Sequence, residues 1–169
     1  MTEALGVIGI AAAVLSFQCA KHKRLLFLRT VNEFSFGIQY FLLGAYTGMA
    51  MNMVGCFRNI IFSRLVEKGK STVPMRILFS ALFVVFSIFT WAGPKSILIG
   101  AAKVISTAAY GSSKTATVRI MVLFTSATWL IYNYMVGSYS GCICEALTLI
   151  SVIIGIIRID LAERRHRIS

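Results

Sequence analysis

Apolar stretches of about 17–20 residues, separated by short clusters of charge, run the whole length of this sequence. A helix of about 20 apolar residues crosses a bilayer core of roughly 30 Å. The pattern predicts seven membrane-spanning helices, near 4–20, 25–44, 47–63, 75–92, 95–111, 119–137 and 141–157. The second is the most polar, because Arg29, Asn32 and Glu33 fall in its first half. Pro74 and Pro94 each stand at the start of a span, where a missing N–H breaks no helical hydrogen bond. These segments lack the polar face that a soluble helix turns to water.

Within this pattern five residues recur. Gly44-Ala45-Tyr46-Thr47-Gly48 returns as Gly137-Ser138-Tyr139-Ser140-Gly141, an offset of 137 − 44 = 93 positions. At that offset spans one to three overlay spans five to seven without a gap, and Lys21 aligns with Lys114, Ile38 with Ile131, and Ile60-Ile61 with Ile153-Ile154. Three crossings reverse the direction of the chain, so the fourth span is needed to give the second copy the same sense as the first. The expected fold is an all-α membrane protein, seven transmembrane helices in a 3+1+3 arrangement of parallel repeats. Residues 1–66 form the first three-helix bundle, 67–93 a loop and inversion helix, 94–159 the second bundle, and 160–169 a basic tail. In the repeated turns the glycines Gly44, Gly48, Gly137 and Gly141 give backbone freedom, and Tyr46 and Tyr139 suit the interfacial belt.

The chain is 57% hydrophobic with a mean hydropathy of +0.80 and a net charge of +11. In a soluble domain that charge would point to nucleic acid. Here it sorts by topology. With the N-terminus outside, Lys21, Lys23, Arg24, Arg29, Arg64, Lys68, Lys70, Arg76, Lys114, Arg119, Arg158 and the tail residues Arg164, Arg165 and Arg167 all fall on or near the cytoplasmic side, and only Lys95 falls outside. The first span follows Met1-Thr2-Glu3 and precedes its basic cluster, the reverse of a signal peptide, so a retained first helix is expected. The tail suits anionic lipid headgroups.

Several motifs carry a resemblance. Phe41-Leu42-Leu43-Gly44-x-Tyr46 followed by Arg58, then Ile105-Ser106-Thr107, then Trp129-x-x-x-Asn133-x-x-x-Gly137-Ser138-x-x-Gly141-x-x-x-Glu145, closing on Ile156-Ile157-Arg158, resemble the YgjV family of bacterial inner-membrane proteins. The resemblance implies a multi-pass protein of the inner membrane and names no reaction. The layout is also similar to the SWEET and PQ-loop transporters, two three-helix bundles joined by an inversion helix. Asn52-x-x-Gly55 is similar to the asparagine that those sugar carriers place at the substrate site. Phe17-Gln18 stands where that group has Pro-Gln, and Glu145 stands where a second asparagine would match Asn52.

Ionisable side chains within a bilayer are costly and are functional candidates for that reason. Glu33 precedes Gly44 by eleven residues and Arg58 follows Gly48 by ten, which sets both roughly 15 Å below the turn, near the midplane. They are expected to form an ion pair, structural or switching, with Arg29 one turn before Glu33 as the competing partner. Asn52 and Glu145 occupy matching positions and are expected to face each other across a central cavity, where the acid could bind a cationic group or take up a proton; near the interface Glu145 could instead reach water or cap a neighbouring helix start. Lys103 is expected to pair with Glu145 or to snorkel. Trp129 and Asn133, one turn apart, offer a solute a stacking face and a hydrogen bond, although a tryptophan between helices also serves packing.

Other chemistry has no constellation. Cys19, Cys56, Cys142 and Cys144 read as small buried residues, His22 and His166 have no acid or serine nearby, and no phosphate loop appears. No enzyme activity, cofactor or metal is expected. The expected partners are the lipid bilayer and an unidentified small solute, without nucleic acid, and homo-oligomerisation stays open. The leading reading is a small-solute transporter or facilitator of the bacterial inner membrane. The alternative is a non-transporting receptor or assembly factor on the same scaffold.

Overall fold

The structure is a computed structural model that describes residues 2–162; the basic tail residues Arg164, Arg165, His166 and Arg167 lie outside the described residues. The described chain is all-α: α1 Thr2–Phe17, α2 His22–Leu42, α3 Tyr46–Glu67, α4 Val73–Phe89, α5 Pro94–Tyr110, α6 Thr115–Met135 and α7 Tyr139–Gly155, which continues as a π-helical turn over Ile156–Asp160. Local chemistry sets the breaks. Gly44 and Gly137 adopt φ +68° and +72°, a conformation costly to any residue with a Cβ, and each ends one helix one or two residues before the next begins. Pro74 and Pro94 sit in the first turns of α4 and α5.

Neighbouring helices pack in a closed circuit. α1 packs on α2, α2 on α3, α3 on α5, α5 on α6, α6 on α7, and α7 back on α1, while α4 lies against α3 and α5. Contacts along α1 and α7 run in the same sense, Gly6 near Ser140 and Phe17 near Gly155. The same holds for α3 and α5, where Thr47 meets Ser96 and Arg58 meets Thr107. The two repeated turns share one end of the molecule. The basic connections share the other, joined there by Lys23–Glu67 (2.7 Å), Thr72 Oγ1 to the Gly111 carbonyl (2.7 Å) and Arg119–Asp160 (2.5 Å).

The distribution of side chains inverts that of a soluble protein. Buried polar and charged residues are as numerous as buried apolar ones, and Glu33, Arg58, Lys103 and Arg119 are all at most 2% exposed. Large apolar side chains face outward instead, Phe89 at 83%, Phe124 at 69% and Ile77 at 68% exposed. Water would drive the opposite arrangement; hydrocarbon requires this one.

Of the seven expected spans, two are long and apolar enough to cross a membrane by length and composition, Thr115–Met135 and Tyr139–Asp160. Leu5–Phe17 and Val73–Phe89 are shorter apolar helices. The physical reason that α2 and α3 fall short is visible in the fold. Their polar residues, among them Asn32, Glu33, Gln39, Asn52, Arg58 and Asn59, are buried inside, while Phe27, Phe34, Phe41, Phe57 and Ile60 cover the outside.

Candidate functional site

α2 presents one face to the interior. Arg29, Asn32, Phe36 and Tyr40 recur at helical spacing, and all four border an internal cavity of about 20 Å³. Trp129 and Asn133 of α6 and Gly141, Cys144 and Glu145 of α7 form the opposite wall, and Asn52 of α3 and Lys103 of α5 complete it. The volume suits one water-sized occupant. The structure therefore brings Asn52, Glu145, Trp129 and Asn133 to one space. It adds Arg29, Tyr40 and Lys103, which spacing alone did not single out as lining residues.

Aromatic rings frame this space. Tyr40 stacks on Trp129 with centroids 6.2 Å apart, and Tyr132 meets both edge-on at 5.7 and 5.6 Å. The Tyr40 hydroxyl donates to Asn133 Oδ1 at 2.6 Å. Tyr40 and Asn133 stand 93 positions apart, the same offset as the two turns, so two matching positions touch each other here. That offset was the signal that could have found Tyr40. The turn end is closed by small residues. A Cβ at Gly48 would meet the Tyr132 hydroxyl, and one at Gly141 would meet the Asn133 amide. Tyr46 and Tyr139 point outward, 57% and 75% exposed.

Beside the cavity lies a buried charge cluster. Glu33 Oε1 is 3.0 Å from Arg58 Nη2 and 3.0 Å from Lys103 Nζ. Two expectations are corrected. Lys103 pairs with Glu33, one helix away, and not with Glu145, because the close approach of α3 to α2 at Gly55 leaves the Glu33 carboxylate facing α5. Arg29 acts on Glu33 only at longer range, since the carboxylate's contacts within 4.0 Å are Arg58 and Lys103. Its guanidinium lies instead over the rings of Phe17 and Tyr110, at 5.5 and 5.9 Å. Arg58 is held on every side. It donates to Asn59 Oδ1, Ser106 and Thr107 at 3.0–3.2 Å and sits 4.7 Å over the Tyr110 ring. Glu145 has Ser126 of α6 beside its carboxylate and no cation within 4.0 Å among the described residues.

Arg119 reads from the sequence only as a topology marker. It is fully buried, and it donates to the Phe17 carbonyl (3.1 Å) and the Cys19 carbonyl (2.8 Å) at the end of α1. There it satisfies carbonyls that the helix leaves without partners.

Among the described residues no group of histidine, cysteine and acidic side chains has the arrangement to hold a metal ion.

The family model described as Imp-YgjV, bacterial inner membrane protein, matches residues 1–163. The inner membrane protein YgjV of Escherichia coli (strain K12) is 25% identical over 170 residues, covering 98% of this chain and 87% of the relative. No solved structure matches. An all-α fold with polar groups inside and apolar groups outside, matched by that model over nearly its full length, places the chain in the Imp-YgjV family of bacterial inner membrane proteins.

Proposed function

We propose that the protein is a carrier or facilitator for a small solute, built as two parallel three-helix repeats, 1–66 and 94–159, with α4 as the inversion helix. One observation carries this reading, the composition of the cavity wall. Phe36 and Trp129, Tyr40 and Asn133, and Asn52 and Glu145 are each separated by 93 positions, and all six line the same space. A cavity bordered by matching positions of two repeats lies on the axis that relates them, where transporters of this kind hold their substrate. The packing circuit supports the repeat: exchanging α1–α3 for α5–α7 turns the α1–α7 contact into the α5–α3 contact. The gathering of basic connections at one end supports an outside N-terminus.

Uptake of labelled metabolites, compared in cells with and without the protein, tests the reading. Glu145→Gln should abolish pH-dependent uptake while the protein remains folded, since Glu145 is the one carboxylate bordering the cavity among the described residues. Reporter fusions after Lys70 and after Gly141 should fall on opposite sides of the membrane. The second reading, a receptor or assembly factor on the same scaffold, draws on the small volume of the cavity, about 20 Å³. On that reading Glu145→Gln is nearly silent in every uptake assay.

A further inference from the structure

Three arginines lie within the helical bundle, and they are treated differently. Arg58 donates to Glu33, Asn59, Ser106 and Thr107. Arg119 donates to two carbonyls, Thr115 and Asp160. Arg29 makes no hydrogen bond to any described residue, and no carboxylate lies within 4.0 Å of it; its buried Nε has no partner at all. Yet it borders the cavity. We propose that this cavity is a binding site for a small monovalent anion, a halide, held by the Arg29 guanidinium. The inference deepens the carrier reading by naming a substrate class, and it rests on that reading for the cavity being a site.

Charge is the first argument. The cluster holds three cations, Arg29, Arg58 and Lys103, against two carboxylates, Glu33 and Glu145. It carries one positive charge in excess when both acids are ionised, and two when Glu145 is neutral. Arg29 is half-buried and feels the Glu33 and Glu145 carboxylates only at long range, beyond contact, and a charge so placed within a membrane is costly. One bound negative charge removes the excess.

Donor geometry is the second. A guanidinium presents its N–H groups as a planar fork suited to compact anions. The rings of Phe17 and Tyr110 hold Arg29 in position without using those donors. Asn52 borders the same space, and its carboxamide has no hydrogen-bond partner among the described residues. It is a second donor for an occupant of one-water size. Glu145 lines the cavity too and opposes negative charge there. It limits the occupant to a single charge, so its removal should strengthen binding.

The test is equilibrium binding to the purified full-length chain in detergent, read as the shift of the unfolding temperature on titration with sodium chloride or sodium formate against sodium gluconate at constant ionic strength. A saturable rise is expected with chloride and not with formate, whose three heavy atoms exceed a one-water space. Arg29→Gln should weaken the response about ten-fold or more, as loss of a charged hydrogen bond does, Arg29→Lys should retain part of it, and Glu145→Gln should tighten it. If Arg29→Gln yields no folded protein, Asn52→Leu (weaker) and Glu145→Gln (tighter) decide, since both keep Arg29. No saturable shift with chloride, a shift with formate as large as that with chloride, an unchanged response in folded Arg29→Gln, or weaker binding in Glu145→Gln overturns the proposal. Because this measurement involves no transport, failure of the carrier reading appears separately, in uptake.

Discussion

The contact of α2 and α3 with α5 and the contact of α6 and α7 with α1 use the same positions with opposite chemistry. On the first side stand Arg29, Glu33, Arg58 and Lys103; 93 positions away on the second stand Val122, Ser126, Ser151 and Ile10. The hydrogen-bonding register is nevertheless shared. Arg58 donates to Thr107 at 3.1 Å, and Ser151, at the position matching Arg58, donates to the carbonyl of Val14, at the position matching Thr107, at 2.7 Å. At this depth a hydroxyl and a carbonyl close the second interface, and its charge, Arg119 on the Phe17 and Cys19 carbonyls, stands at the basic end. Closure at mid-depth does not require charge, and a buried ion pair is a weak source of stability in its own right. The charges on one side call for another explanation, and their place offers one: Arg29 and Lys103 border the cavity, and Glu33 and Arg58 are tied to Lys103 beside it.

The largest effect is expected at Glu33. Glu33→Gln strands two buried cations, and a cost of about 3–5 kcal/mol is expected, read as lost folded yield and lowered unfolding midpoint in mixed micelles. Arg58→Gln and Lys103→Gln each leave Glu33 one partner and should cost less. At the matching neutral position Ser126→Ala should cost within about 1 kcal/mol. Equal losses at Glu33 and Ser126 would mean that the charged side is no more strained than the neutral one.

Gly55 sharpens the same contrast at the next scale. A Cβ there would collide with the Glu33 carboxylate, whereas its counterpart Thr148 is buried with a branched side chain already in place. Gly55→Ala should therefore cost about 1–3 kcal/mol through overpacking and Thr148→Ala roughly 1 kcal/mol or less, both measurable by the same unfolding assay. If Gly55→Ala is neutral, the carboxylate is not confined where the structure has it.

How far this was legible in the sequence depends on what each residue touches. The turns could be read because a five-residue repeat states backbone needs locally, and Gly44 and Gly137 take the positive φ expected of them. Glu33 and Arg58 could be matched because rise per residue converts spacing into depth; they are 3.0 Å apart. Partner choice among several cations was not legible. Lys103, Arg29 and Arg58 lie on three helices at similar depth, and which of them reaches Glu33 depends on helix rotation and on the close approach at Gly55. Arg119 was missed for a related reason. A basic residue near a helix start looks like a topology signal until the neighbouring helix end it caps is known.

At the turns the two halves should behave alike. Gly44 and Gly137 share the left-handed conformation, and a Cβ added at either would meet nothing within 4 Å. Gly44→Ala and Gly137→Ala should each cost roughly 1–2 kcal/mol from backbone strain alone, and by the same amount within error. A large inequality in their unfolding midpoints would show that the shared geometry hides different environments.

The smallest expected effect separates the two halves again, at the basic end. The carbonyl that closes α5, Tyr110 O, is met by His22 Nε2 at 3.1 Å, and the matching carbonyl that closes α1, Phe17 O, is met by Arg119 Nε at 3.1 Å. His22 is the first residue of α2, at the basic end, and its Nδ1 is buried without a hydrogen-bond partner among the described residues. Burial lowers its pKa from the ordinary 6.5, with the carbonyls of Tyr110 and Ser112 drawing it partly back. The neutral ring with its proton on Nε2 fits this site. A group whose folded pKa is depressed stabilises the fold above its unfolded pKa and loses that contribution as pH falls through the folded value. The unfolding midpoint should accordingly drop between pH 7.5 and 5.5, with a slope of at most about 1.4 kcal/mol per pH unit from this one proton. His22→Asn should flatten that slope and leave the neutral-pH midpoint nearly unchanged, because an amide N–H can replace Nε2–H at the carbonyl. A slope that persists in His22→Asn would assign the pH response to other groups and leave the two helix ends equivalent.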